Sequence, residues 1–277
     1  TTPTALSQAR YSLAATTVGI YALFGGGMHS SSTYSIVDAY DTNLTRTTPT
    51  GLSLARRYLA ATSVENYALF GGGESLSGGA YYYATVNAYD TSLTRTTPTE
   101  LRKARGYLAA TSVGNYALFG GGNNNSTKFD VVDAYDASLT RTTPTELSKA
   151  RGYLAATSVG NYALFGGGLG VNYANAPTVD AYDTSLTRTT PTELSRGRQM
   201  LAATSIGNYA LFGGGSGNSY SNVVDAYDTS LTRTTPTALS QVRRELAATS
   251  VGNYALFGGG NNYSTNLNTV DAYSLAN

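Results

Sequence analysis

One octapeptide constrains this chain more than any other feature. Asn-Tyr-Ala-Leu-Phe-Gly-Gly-Gly stands at 66–73, 115–122, 161–168, 208–215 and 253–260, and 20–27 differs only in opening on Ile20. A strand-like apolar run closed by three glycines and repeated along the chain describes one small unit used again and again. Such a unit cannot bury its apolar faces alone and must be completed by its neighbours. Aligned on Thr-Thr-Pro-Thr, the units are 1–46, 47–95, 96–141, 142–188, 189–233 and 234–277, the size of four-stranded propeller blades.

The fourth unit serves as specimen. Residues 153–159 read as a first strand of mostly small side chains, and Gly160-Asn161 as a two-residue hairpin turn. Residues 162–165 mix large and small side chains, as a strand buried on both faces does. After the glycines comes a polar segment, then a third strand at 178–183 and a fourth at 186–190. Pro191 ends the fourth because it has no N–H for the ladder. The one helix-friendly stretch, 146–151, is too short to stand alone. The pattern predicts an all-β chain: a six-bladed β-propeller with four-stranded antiparallel blades, forming a single domain over 1–277. The last unit stops after its third strand, so residues 1–4 are expected to supply its fourth and bring the termini together. The chain starts inside a repeat, as a piece of a longer protein would.

Composition agrees and narrows the partners. Charged residues are 13% of the chain against 41% apolar, with 31 Gly and 23 Tyr, which favours an all-β globule over disorder. A net charge of +1 gives no footprint for nucleic acid or a polybasic membrane contact. No Cys is present, so neither a disulfide framework nor a thiol nucleophile is expected. No apolar run reaches the roughly 18 residues of a membrane span.

The order Ala-Arg, small-residue strand, Tyr-Ala-Leu-Phe-Gly-Gly, Val-Asp-Ala-Tyr-Asp resembles the kelch repeat, across all six units. The resemblance implies a Gly-Gly pair closing the second strand of each blade and a ligand rim near the Arg that precedes the first strand. It breaks at one place. Kelch repeats usually carry a Trp on the fourth strand, whereas this chain has no Trp and sets Arg46, Arg95, Arg141, Arg188 and Arg233 roughly there.

Chemistry finds little purchase. The glycines lack the Lys and the following helix of a phosphate loop; they suit close approach between blades and φ > 0 at the strand exit. Arg10, Arg56, Arg105, Arg151, Arg198 and Arg243 share one position in the repeat. Asp38, Asp133, Asp180, Asp225 and Asp271 share a second, where unit two has Asn87, and Asp41, Asp90, Asp136, Asp183 and Asp228 share a third. A catalytic acid is needed once, so groups present in nearly every unit are expected to form Arg–Asp pairs and Asp-capped turns. The copper chemistry that kelch-type propellers can host needs several His and a Tyr–Cys pair; this chain has His29 alone and no Cys. No calcium loop and no nucleophile elbow is present. Neither an enzyme nor a cofactor is expected.

The informative positions are those where the units disagree. Segments 28–36, 74–85, 123–131, 169–178, 216–223 and 261–269 differ in nearly every residue while the flanking strands barely change. They are rich in Asn, Ser, Gly and Tyr, the composition of antibody paratopes, in which Tyr gives contact area and the small polar residues adaptable hydrogen bonds. In a meander these loops leave the blade at the same end as the fourth-to-first connection. That connection also varies, with Gln8, Leu54, Lys103, Lys149, Arg196 and Gln241 at one place and Tyr11, Arg57, Gly106, Gly152, Gln199 and Arg244 at another. The turns at the opposite end are nearly uniform. Loop drift is the alternative reading, but drift alone leaves the uniform end unexplained. The candidate contact residues are His29, Tyr34, Tyr81, Tyr82, Tyr83, Asn124, Lys128, Tyr173, Tyr220 and Tyr263 on the loops, with Arg57, Lys103 and Arg244 on the connections. The expectation is a non-enzymatic module for a glycan or a protein surface, in an extracellular or virion-surface setting such as an adhesin or a phage tail part. A structural spacer with idle loops is the alternative.

Overall fold

The computed structural model describes residues 2–76, 79–125 and 127–275. The chain divides into two compact units, Thr1–Thr127 with Val131–Thr143 and Lys128–Asp130 with Pro144–Asn277.

The first unit holds three four-stranded sheets, each an antiparallel meander in sequence order. In the second of these the strands are Ala60–Val64, Tyr67–Gly71, Val86–Asp90 and Arg95–Thr96. Register runs Val64 to Tyr67 across the hairpin, Leu69 to Ala88 in the middle, and Tyr89 to Arg95 at the edge. The second unit repeats the pattern, with Ala155–Val159, Tyr162–Gly166, Val179–Asp183 and Arg188–Thr189 as its first sheet. Six sheets of one meander, without an α-helix among the described residues and with a single 3-10 turn at Val171–Tyr173, make this a six-bladed β-propeller.

Among the described residues the apolar clusters are shared between neighbouring blades. One apolar cluster joins Val18, Leu23 and Val37 of the first blade to Leu59, Phe70 and Tyr89 of the second. In the other unit Val159, Leu164 and Val179 of the fourth blade meet Leu201, Phe212 and Tyr227 of the fifth. Gly25 shows why the octapeptide ends in glycine: a Cβ there would lie 2.7 Å from the Phe70 ring. Gly26 and Gly27 follow at φ +72° and +101°, turning the chain out of the strand where a side chain would be strained.

Two expectations need correcting. The sixth blade has three strands among the described residues, Ala247–Val251, Tyr254–Gly258 and Val270–Ser274. The strand expected from residues 1–4 to complete it is absent at 2–4, and Thr1 lies outside the described residues. The fourth strand elsewhere is only an Arg-Thr pair such as Arg46–Thr47. Thr1 is the counterpart of Thr47, so residues 2–4 fall beyond that strand. The Thr4 and Ala5 carbonyls accept hydrogen bonds from Tyr40 and Arg46 of the first blade at 2.7 and 2.8 Å. Val251 and Val270 of the sixth blade are each 61% exposed, whereas Val159 and Val179 at the same places in the fourth are buried.

The second correction concerns strand four, expected at 186–190 and found at Arg188–Thr189. Asp183 Oδ1 accepts the N–H groups of Ser185 and Thr187 at 2.8 and 2.9 Å, and Leu186 takes φ 61°. That Asx-type turn uses the first residues of the expected strand.

Candidate functional site

The two ends of a blade differ in how they are built. At one end the same turn recurs: Asp41, Asp90, Asp136, Asp183 and Asp228 each accept two backbone N–H groups, and Leu44, Leu93, Leu139, Leu186 and Leu231 hold φ near the left-handed region at 60–62°. At the other end every segment differs. The variable loops fold back as small hairpins, such as Met28–His29 with Ser32–Thr33 and Asn261–Asn262 with Thr265–Asn266. Each is joined by a β-bridge to the variable residue of the fourth-to-first connection: Tyr11 to Met28, Arg57 to Glu74, Gly106 to Asn123, Gln199 to Ser216 and Arg244 to Asn261. In the fourth blade Arg151–Gly152 pairs with Leu169–Gly170. Variable loop and variable connection are therefore one surface, hydrogen-bonded together.

Buried inside the blades lie the repeated charges. Arg10–Asp38, Arg105–Asp133, Arg151–Asp180 and Arg198–Asp225 are ion pairs of 2.7–3.0 Å with both side chains fully buried. Arg243, itself buried, pairs with Asp271, whose side chain is partly exposed. Each Arg also donates to the Phe carbonyl of its own second strand, as Arg105 does to Phe119 at 3.1 Å. Burial pulls the guanidinium of Arg105 below its ordinary range, and Asp133 pulls it back up without restoring it. For Asp38, burial pushes the pKa up, but hydrogen bonds from Arg10 and Ser7 outweigh it and leave the carboxyl below its usual value. Arg188 and Arg233, standing where kelch repeats carry Trp, reach the far oxygens of Asp180 and Asp225 at 2.9 Å. These charges tie the strands of a blade together and are spent on one another.

The second blade departs from this. Asn87 stands for the aspartate, and the Arg56 side chain, with no exposed surface, donates only to the Phe70 carbonyl and Asn87 Oδ1, at 3.1 and 3.0 Å. Its Nε and Nη1 have no partner, and burial pushes its pKa down to about 10.

On the variable end of the first unit, Arg57 organises a cluster. It grips Glu74 through Nε and Nη2 at 3.0 and 2.8 Å, donates to Met28 Sδ at 2.6 Å, and lies 4.6 Å from the centre of the Tyr58 ring. Tyr58 stacks on Tyr107 at 4.2 Å, and the Tyr107 hydroxyl donates to Glu74 at 3.3 Å. The buried Glu74 carboxylate is thus held by three donors. Tyr58 and Tyr107 sit at φ 51° and 55°, a conformation costly for Tyr, and successive backbone bonds run from Tyr58 to Ser12 and from Tyr107 to Tyr58 at 3.0 Å. Tyr153, Met200 and Glu245 make the same chain in the second unit, at 3.0 and 2.9 Å.

In the second unit, Lys128 Nζ lies 5.5 Å from the Tyr153 ring centre, and burial holds its ammonium below the ordinary lysine range. Arg244 lies 4.8 Å from the Tyr220 ring, Tyr220 stacks on Tyr263 at 4.2 Å and 13°, and Tyr220 N–H donates to the Tyr263 hydroxyl at 3.2 Å.

Of the residues expected from sequence, the structure gathers Arg57 with Tyr58 and Glu74, Arg244 with Tyr220 and Tyr263, and Lys128 with Tyr153. Tyr82 covers Gly106, its ring 3.6 Å from where a Cβ would be. Tyr81, Tyr173, His29 and Lys103 are exposed, Tyr173 more so than Tyr81, and Asn124 is half-buried. Tyr34 and Tyr83 serve through their backbones, which bind Gly27 and Arg56, and Gly73 and Arg105. Among the described residues no three His, Cys, Asp or Glu gather as metal ligands. Sequence reading missed Tyr58 and Tyr107 and put Tyr153 at the start of a strand that begins at Ala155. The signal was there: Ser12, Tyr58, Tyr107, Tyr153, Met200 and Glu245 vary at one repeat position, directly after another that varies.

No family model and no curated protein matches the sequence. Solved structures do match. The structure of YjhT is similar with a TM-score of 0.77 at 13% identity, over 97% of this chain and 96% of that one. At that identity the likeness shows the fold: this chain is built as a six-bladed β-propeller.

Proposed function

We propose that this chain is a non-enzymatic, kelch-like recognition module that binds a glycan or a protein surface with the variable ends of its blades. The surface setting of an adhesin or a phage tail part suits it. One observation carries the reading: every loop that varies is bridged to a connection that varies, while the opposite ends keep one Asp-capped turn. Loops free to drift have no reason to be held in register with other varying residues. The exposed side chains there are Tyr with Asn, Ser and charged neighbours, which give contact area at small entropic cost. The buried carboxylates there are committed, Glu74 to Arg57 and Tyr107, and Asp133 and its counterparts to their Arg partners.

The test is a screen of immobilised glycans and surface proteins with the wild-type chain and a Tyr81→Ala, Tyr173→Ala, Tyr263→Ala triple variant. All three rings are largely exposed, at 58%, 79% and 68%, so melting should stay within about 2 °C, as for surface substitutions. The expected result is a ligand that the wild type binds and the variant loses. A ligand bound equally by both sinks the reading.

A further inference from the structure

Resting on that reading of the variable ends as a binding surface, we infer that Tyr263 is the stacking platform for the C–H face of a neutral hexopyranose. Arg244, Tyr220 and Tyr263 form a column, guanidinium on ring on ring, with spacings of 4.8 and 4.2 Å and nearly parallel rings. The column is fixed at both ends. Arg244 is held by its backbone bridge to Asn261, and the Tyr263 hydroxyl accepts the Tyr220 N–H. Tyr263 itself takes φ 38° and is 68% exposed, so a conformation unfavourable for Tyr is maintained where it presents a ring to solvent.

What surrounds the ring selects the ligand. On the segment that carries it, Asn261 Nδ2 donates to Glu245 at 2.7 Å, and Asn262 Oδ1 accepts from Thr265 at 2.6 Å. The Glu245 side chain is half exposed. Its carboxylate and the carboxamides of Asn261 and Asn262 are the acceptors and donors that sugar hydroxyls require. A protein hot spot would sit in a well-packed pocket that its neighbours shield from water; here the ring stands 68% exposed among Asn, Ser and Thr on segment 261–266. A cationic ligand is disfavoured, because Arg244 already places a positive charge behind the stack. A pyranose has one C–H-rich face for an aromatic ring and a rim of hydroxyls for polar neighbours, and it matches both features.

The experiment is a titration with neutral gluco-, galacto- and manno-oligosaccharides, read by saturation transfer from the protein to the sugar C–H protons. Wild type should bind at least one series, with transfer strongest on one face of one residue. Tyr263→Ala should weaken that binding about tenfold, the scale of one aromatic stacking contact. Tyr263→Phe should keep most of it, and Ser138→Ala, on an Asp-capped turn at the opposite end of a blade, should leave it unchanged. Sugar binding that survives Tyr263→Ala but falls with Tyr81→Ala or Tyr173→Ala overturns the platform and leaves the wider reading of the surface standing. Binding at Tyr263 of cationic or protein ligands alone overturns the ligand class. A chain that binds no glycan and no protein overturns both. Unchanged circular dichroism of Tyr263→Ala separates lost contact from lost fold.

Discussion

Asn87 is where one unit breaks the rule the others keep, and Asn87→Asp is the substitution that measures what the rule is worth. Arg56 is fully buried without a carboxylate, and the depression of its pKa from the ordinary guanidinium range to about 10 corresponds to a penalty on the order of 3 kcal/mol on the charged form. At neutral pH that form is present folded and unfolded, so the penalty falls on stability in full. The partners an aspartate would need are in place. Arg56 Nη2 lies 3.0 Å from Asn87 Oδ1, and the N–H and hydroxyl of Ser53 lie 3.2 Å from it. In the fifth blade Ser195 and Arg198 hold Asp225 in the same way. Hydrogen bonds to an ionised partner contribute about 1.5–3 kcal/mol against 0.5–1.5 for neutral ones, while burying the new carboxylate takes some of this back. The net expectation is about 1–2 kcal/mol of stabilisation, a rise in Tm of about 3–6 °C. Calorimetric melting at pH 7 reads it. The reverse change in the third blade, Asp133→Asn, should lower Tm by a comparable amount. If Asn87→Asp lowers Tm, or if Asp133→Asn costs nothing, the buried pairs do not stabilise the blades as argued.

Two further outcomes follow from the scaffold. Burial raises the pKa of Tyr89, Tyr135, Tyr182 and Tyr227 beyond the range of ordinary tyrosine, and that of Tyr273 to about 12. An acid whose folded pKa exceeds its unfolded value stabilises the fold fully below the unfolded pKa, so stability should fall as pH rises above about 10, through the folded values. Melting against pH, with tyrosinate absorbance, checks both the onset and the delayed titration. Gly71→Ala would put a Cβ 2.8 Å from the Phe119 ring, and overpacking of that kind should cost about 1–3 kcal/mol. Denaturant unfolding that shows no loss would mean the blades yield there.

The strands were legible where one interaction decides them. Tyr162–Gly166 was expected as 162–165 because a buried central strand declares itself by its apolar run and the glycines. Arg188–Thr189 was overcalled because the turn made by Asp183 competes for the same N–H groups, and strand propensity does not register that competition. Arg–Asp pairing could be read from residues recurring in step. The aromatic columns could not. Tyr58 and Tyr107, like Tyr220 and Tyr263, belong to different repeats, and their contact depends on how adjacent blades are placed, which no pattern within one repeat encodes.

The central claim is that recognition belongs to one end of the blades and scaffold to the other. Amide hydrogen exchange with and without a ligand recovered from the screen tests this most directly. The account predicts added protection within segments 28–36, 74–85, 123–131, 169–178, 216–223 and 261–269 and the connections bridged to them, with none at turns 41–45, 90–94, 136–140, 183–187 and 228–232. Protection centred on those Asp-capped turns would contradict it.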